Sequence, residues 1–208
     1  GRNIVGFLPN ICDETMEWED VSKCENLKYD LFFAGHEGKN DERISVVREL
    51  DKSVSGKIRF GLFGTCNHPS ISGSDYEEAL ISSAMALSLN RREGWKWYSS
   101  DRMAHLMGRG ILTFISAKSG YQEFFKDGEE AVFFDNADDL SEKIAEKESI
   151  IEDKQDQVKY LRSLVDDYKT QIRSNSEELE IQLRKISKQL LTKRILCDIK
   201  YLEIFLNT

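Results

Sequence analysis

All 13 glycines and both prolines of this 208-residue chain lie before residue 129. Glycine and proline punctuate turns, so a long stretch lacking both is free to run as helix. The chain therefore divides into a turn-rich globular part and a helical tail. Charge divides in the same way. Residues 139–208 hold 13 Lys/Arg and 14 Asp/Glu, whereas residues 1–138 hold 16 and 23, so the first part carries −7 of the net −8. That acidity argues against a general nucleic-acid binder, which needs a basic footprint. Apolar residues make up 40% of the chain, enough for a core, yet no run of 18 exists, so no membrane span is expected. The opening GRNIVGFLPN has no basic-then-apolar leader pattern. Cys12, Cys24, Cys66 and Cys197 are scattered, with neither CxxC spacing nor a His cluster. They read as reduced thiols of a cytoplasmic protein, with no metal site.

Within the globular part, short apolar runs alternate with helical patterns. YDLFFAG (29–35), KIRFGLFG (57–64), MALSLN (85–90), ILTFIS (111–116) and EAVFFD (130–135) have the length of buried parallel strands. Between them, residues 41–50 place Ile44, Val47 and Leu50 on one helical face. Residues 74–84 open with a Ser or Asp cap, and 99–110 run from caps at Ser99–Asp101 to glycines at 108 and 110. Residues 120–128 predict a short helix, and NADDLSEKIAEK (136–147) opens another. This alternation predicts an α/β fold, a Rossmann-like parallel sheet with helices on both faces, followed by the α-helical C-terminal tail. The expected division is a lead-in over 1–28, the sheet domain over 29–145 and the tail over 146–208.

The tail has apolar residues at Val158, Leu161, Leu164/Val165, Tyr168 and Ile172, and a second stripe at Leu179, Leu183, Ile186 and Leu190. Spacings of three and four mark amphipathic helix. RSNSEE (173–178) reads as a break with a new cap at Ser174 or Ser176, giving at least two helices. Packing on the domain or on a partner is one use of such faces; a short coiled coil and homo-oligomerisation is another. Residues 184–200 carry six Lys/Arg against Asp198, which reads as a solvated face or as peripheral contact with an anionic membrane.

In open parallel sheets, ligands bind at the carboxyl ends of the strands. Here the loops at 35–41, 64–75, 90–101 and 116–121 are rich in Gly, Ser, Asn, Arg and aromatics. Asn90 ends a strand, RREGWKWY crosses the edge, and SSDR begins a helix. A helix start bearing Ser99, Ser100 and Arg102 suits a diphosphate. Plain capping, with Arg102 paired to Asp101 or Glu123, is the alternative. His36 and His68 lie in edge loops as ligand contacts or as surface residues. Trp95, Trp97 and Tyr98 either stack on a base or sugar or seal the loop against the core.

The order Asn90, Ser100–Arg102, Gly110, Gly120–Glu123–Phe124, Asp127–Glu130 and Asp135–Ile144 resembles the C-terminal half of GT-B glycosyltransferases. Within them it is most similar to the spore-maturation-type group of surface-polysaccharide pathways. The resemblance covers residues 29–145, most specifically 76–145. VGFLPNICDE resembles the interdomain linker of such enzymes. The resemblance implies a nucleoside-diphosphate-sugar donor, a saccharide or lipid-linked acceptor, and no cofactor or metal. It places the donor near Gly35, His36, Glu37, Gly64, Thr65 and Asn67. Its phosphates would lie by Ser99, Ser100 and Arg102, and its sugar and ribose by Gly120, Tyr121 and Glu123, with Asn90, Arg91, Tyr98 and Ser119 as further donor-binding candidates. His105 stands where many relatives carry a Glu that holds ribose hydroxyls, and is a donor-binding candidate through its neutral imidazole or else a helix residue facing solvent or loop. A complete GT-B enzyme has a second Rossmann-like domain, often with the catalytic base, and this chain has room for one, so no base is named. An inactive binding or scaffold module with a helical oligomerisation tail is the rival expectation.

Overall fold

The computed structural model describes residues 10–206 except positions 11, 14, 18, 25, 26, 93 and 99, with side chains up to Leu191 and at Lys193. Five parallel strands form one sheet: β1 (Tyr29–Ala34), β2 (Phe60–Phe63), β3 (Ser83–Ser88), β4 (Leu112–Ser116) and β5 (Val132–Phe134). Their spatial order is β2-β1-β3-β4-β5. The register pairs Leu31 with Phe60 and Met85, and Phe114 with Leu87 and Val132. The helices are α1 (Arg43–Val54), α2 (Ser74–Ile81), α3 (Asp101–Gly108) and α4 (Ala137–Leu206).

The sheet sorts its side chains by the two-residue period of a strand. Leu31, Phe33, Leu62, Met85, Leu87, Phe114, Val132 and Phe134 share one core with Val47 and Leu50 of α1 and Leu140 and Ile144 of α4. Phe32 and Ala86 join Ala79 and Leu80 of α2 and Leu106 of α3 on the other face. Ile115 and Phe133 meet Met103 and Tyr121 there. Both faces are thus covered, as the near-continuous apolar runs require.

The segment expected to be a short helix over 120–128 forms only a 3-10 turn at Tyr121–Glu123. Gly120, at φ +75°, and Gly128, at φ +76°, hold left-handed backbone at either end of the segment, and the 3-10 turn stops at Phe124. The start of α4 is capped from both sides. The Asn136 side-chain carbonyl accepts from Asp138 and Asp139 N–H, each at 3.0 Å, and Asp139 accepts from Asp135 N–H at 2.8 Å.

The expected break at 173–178 is absent: α4 is continuous from Ala137 to Leu206. Ser and Asn cost only a few tenths of a kcal/mol each relative to the better helix formers, and no Gly or Pro intervenes. The chain resolves into two compact units, residues 1–152 and 153–208. Among the described residues no helix is long and apolar enough to cross a membrane.

Candidate functional site at the carboxyl edge of the sheet

The chain leaves β1 toward β2 on one side, then returns to place β3 on the other. The β1–β3 boundary is therefore the switch point, where the loops diverge and open a crevice at the strands' carboxyl ends. Arg102, in the first turn of α3, reaches into it. One of its terminal nitrogens donates to the Ala34 carbonyl at 2.9 Å, at the end of β1, and the other to the Leu89 carbonyl at 3.1 Å, just past β3. The guanidinium thus ties the two diverging strands together and rests over the Phe33 ring at 5.1 Å. It is paired to neither Asp101 nor Glu123. Burial, and then the nearby Arg43 charge, push its pKa down to about 10. It remains a cation at neutral pH, held among neutral carbonyls.

Arg43 opens α1 as Arg102 opens α3, and lies over the same Phe33 ring at 5.9 Å. It is almost fully buried. Its Nε donates to Asp41 at 2.8 Å, and a terminal nitrogen donates to the His36 carbonyl at 3.3 Å. Burial alone would raise the Asp41 pKa, but bonds and charge from Arg43, with backbone N–H groups of Arg43 and Gly38, hold it below the usual carboxylate range. Arg91 adds a third positive charge that disfavours the charged form of Arg102. An acidic chain therefore concentrates three arginines at one sheet edge.

Two clefts flank this cluster. One is lined by Ala34, Gly35, His36, Phe63, Gly64, Ser70, Ile71 and Tyr76. The other, much narrower, is lined by Arg43, Val46, Leu89, Asn90, Gly94, Ser116 and Ser119. Arg102 bonds a carbonyl from the lining of each. The hydroxyls of Ser100, the N-cap of α3, and of Ser116, the last residue of β4, are buried without a hydrogen-bond partner. Both can therefore bond an incoming polar group. The first turn of α3 adds backbone N–H groups that have no intrahelical acceptor.

The loops around the edge have defined backbones. Gly64, at φ +72°, sits so close to Gly35 that a Cβ would collide with the Gly35 carbonyl oxygen. Thr65 is buried, and Asn67 is exposed with φ +66°. Glu37 is exposed and its N–H donates to the Gly64 carbonyl at 3.3 Å. Asn90 donates to the Tyr98 carbonyl at 3.4 Å, and Tyr98 packs edge-on against Trp95 with both rings exposed. Trp97 holds φ +59°; its N–H donates to Ser119 at 2.8 Å, and the Tyr121 hydroxyl donates to its carbonyl at 2.9 Å. Of the expected sugar contacts, Tyr121 is a core side chain with its hydroxyl committed to this loop. Glu123 pairs with Lys96 at 2.6 Å across Gly120, whose hydrogen side faces Lys96. Ser99 lies outside the described residues.

His105 belongs to a different cluster. Its Nδ1 is 2.7 Å from Glu17, in the lead-in, and 3.5 Å from Arg109. Buried Arg109 bonds Glu77 at 2.7 Å, Glu19 at 3.3 Å and the Met16 carbonyl at 3.2 Å. This network fastens Met16, Glu17 and Glu19 to α2 and the end of α3. His68 is 3.9 Å from Asp51.

Arg43, Asp41, Ser70 and Tyr76 were not singled out from the sequence. A signal for Arg43 existed: DER at 41–43 repeats the strand–loop–Arg arrangement of SDR at 100–102. Ser70 and Tyr76 had none, because only the folded 64–73 loop brings them to Gly35. Among the described residues, no group of three or more His, Cys, Asp or Glu side chains converges to hold a metal ion. In comparisons with known proteins, the family described as glycosyl transferase-like matches residues 43–166, more than half of the chain. No curated protein matches it.

Proposed function

The chain belongs to the glycosyl transferase-like family, and we propose on that premise that the β1–β3 crevice binds the diphosphate of a nucleoside-diphosphate sugar. The reading makes residues 29–145 the donor-binding half of a GT-B enzyme, passing sugar to a saccharide or lipid-linked acceptor in surface-polysaccharide synthesis. One observation carries it. Arg102 keeps its charge in a buried setting where its hydrogen bonds go only to neutral carbonyls, at the switch point of the sheet. Such a charge is costly without an anion, and a diphosphate supplies one.

The chemistry follows from charge. When the bond from the anomeric carbon to the β-phosphate oxygen breaks, the electron pair stays on phosphate. Arg102, the buried Ser100 hydroxyl and the N–H groups opening α3 stabilise that charge where it develops. Arg43, held by Asp41, adds to the field. In this reading the countercharge comes from side chains and a helix terminus, so donor binding is unaffected by chelators. The aromatic loop at Trp95–Tyr98 stands beside the second cleft and suits a nucleobase or a sugar ring.

The test is a thermal-shift series with nucleoside mono- and diphosphates and their sugar conjugates, with and without EDTA. Ligand at about 100 Kd adds about 2.7 kcal/mol of apparent stability. A shift with one diphosphate family, unchanged by EDTA and lost in Arg102→Met, is the expected result. No shift with any of them favours the inactive binding module.

A further inference from the structure

Five titratable side chains outside the crevice form one cluster beside it. Glu17 and Glu19 come from the lead-in, Glu77 from α2, His105 from α3 and Arg109 from its C-cap. Glu17 is the deepest of the carboxylates, with 4% of its side chain exposed against 46% for Glu77. A carboxylate at that depth is costly unless it is paired. Its two oxygens accept from the Asp13 N–H and meet His105 Nδ1, each at 2.7 Å.

The lead-in meets α3 along the helix's whole length. Asn10 donates to Asp101 at 2.6 Å in the first turn, Glu17 holds His105 in the middle, and the Val21 N–H donates to the Arg109 carbonyl at 2.8 Å at the far end. The fit is close enough that a Cβ on Gly108 would come within 2.6 Å of Cys12 Cβ. A short hydrogen-bonded helix shifts as a unit, and Arg102 and the Ser100 cap stand at the other end of this one. A second route runs through α2. Glu77 pairs with Arg109 at 2.7 Å, and its neighbour Tyr76 lines the wider cleft. Burial pushes the Tyr76 hydroxyl pKa up, and the charges of Arg102 and Arg109 both oppose that rise, so this ring lies in the field of crevice and cluster alike.

We infer that Glu17 is a positioning residue for the diphosphate site, an inference that rests on the donor-site reading of the crevice. By holding His105 it fixes where α3 lies, and so where the first turn presents Ser100 and Arg102. Lead-in and diphosphate then reinforce each other through α3, by the same factor in both directions.

Calorimetry on the 208-residue chain tests it, with uridine diphosphate, guanosine diphosphate and inorganic pyrophosphate as probes. Temperatures are chosen so that urea unfolding shows each variant to be folded. Glu17→Ala is expected to weaken binding by about tenfold, within the usual span of coupling between sites. Glu17→Gln keeps an oxygen for His105 and is expected to restore most of the affinity. A merely structural strut would lower the urea midpoint of Glu17→Ala and leave the affinity of the folded protein unchanged, which overturns the inference while the donor site stands. Probes that bind neither protein overturn both. A second measurement needs no variant: amide exchange over residues 12–24 of wild type is expected to slow when a binding probe is added. Binding with unchanged exchange there overturns the inference.

Discussion

Arg102 shows how one residue serves both fold and ligand. Its two carbonyl bonds tie the ends of β1 and β3 together across the crevice, and among the described residues its charge faces no carboxylate in a hydrogen bond there. Arg102→Met keeps the stem and removes the charge, so its melting temperature without ligand is expected within a few degrees of wild type, with the diphosphate shift lost; calorimetry checks the affinity. The depressed pKa adds a pH test. A base whose folded pKa lies below its unfolded value carries a burial cost that is relieved as pH rises through the folded value. Wild type should therefore gain stability relative to Arg102→Met above pH of about 10. Urea unfolding of both proteins across that range measures it. Gly64 makes the complementary point through absence of a side chain. Gly64→Ala places a Cβ against the Gly35 carbonyl at φ +72° and is expected to cost roughly 1–3 kcal/mol in chemical denaturation.

At the scale of elements, the loop after β3 is held by the one after β4. Trp97 takes a backbone conformation unusual for a bulky residue, and Ser119 and Tyr121 bond its N–H and carbonyl. Tyr121→Phe removes one bond, worth about 1 kcal/mol, while leaving the ring in its core position. Faster hydrogen exchange at 90–98, with β4 and β5 unchanged, is the expected readout. The residues that bond Trp97 were legible in the sequence as a Gly-rich turn, but their role as a brace was not, because the brace is a contact between separate loops. For α4 the reverse happened. RSNSEE looked like a helix break because Ser and Asn favour caps, yet nothing there obliges the backbone to stop. Asn175→Pro does oblige it, at about 3 kcal/mol. Circular dichroism should report a loss of helix with no change in the unfolding of residues 1–152.

For the molecule as a whole, acid tests the frame around the site. Asp41 and Asp139 both have pKa values below the ordinary carboxylate range. A carboxylate whose folded pKa is depressed stabilises the fold above its unfolded pKa and loses that contribution as pH falls through the folded value. The sheet unit is therefore expected to unfold at lower urea concentration at pH 3 than at pH 5, and Asp41→Asn should flatten the difference. The parallel sheet, its two covered faces and the helical tail were legible in the sequence, since they rest on local signals: apolar runs, caps, glycines and their absence. The edge loops were legible too, because strand direction alone puts the strands' carboxyl ends together. Tertiary structure decided which side chains meet there. Arg43 and Arg102 lie 59 positions apart in sequence and share the ring of Phe33 only because β1 and β3 are neighbours. His105, close to Arg102 in sequence, is held instead by Glu17. Periodicity is written in the chain, but which charge is buried beside which carbonyl depends on strand order, and strand order is a property of the packed sheet.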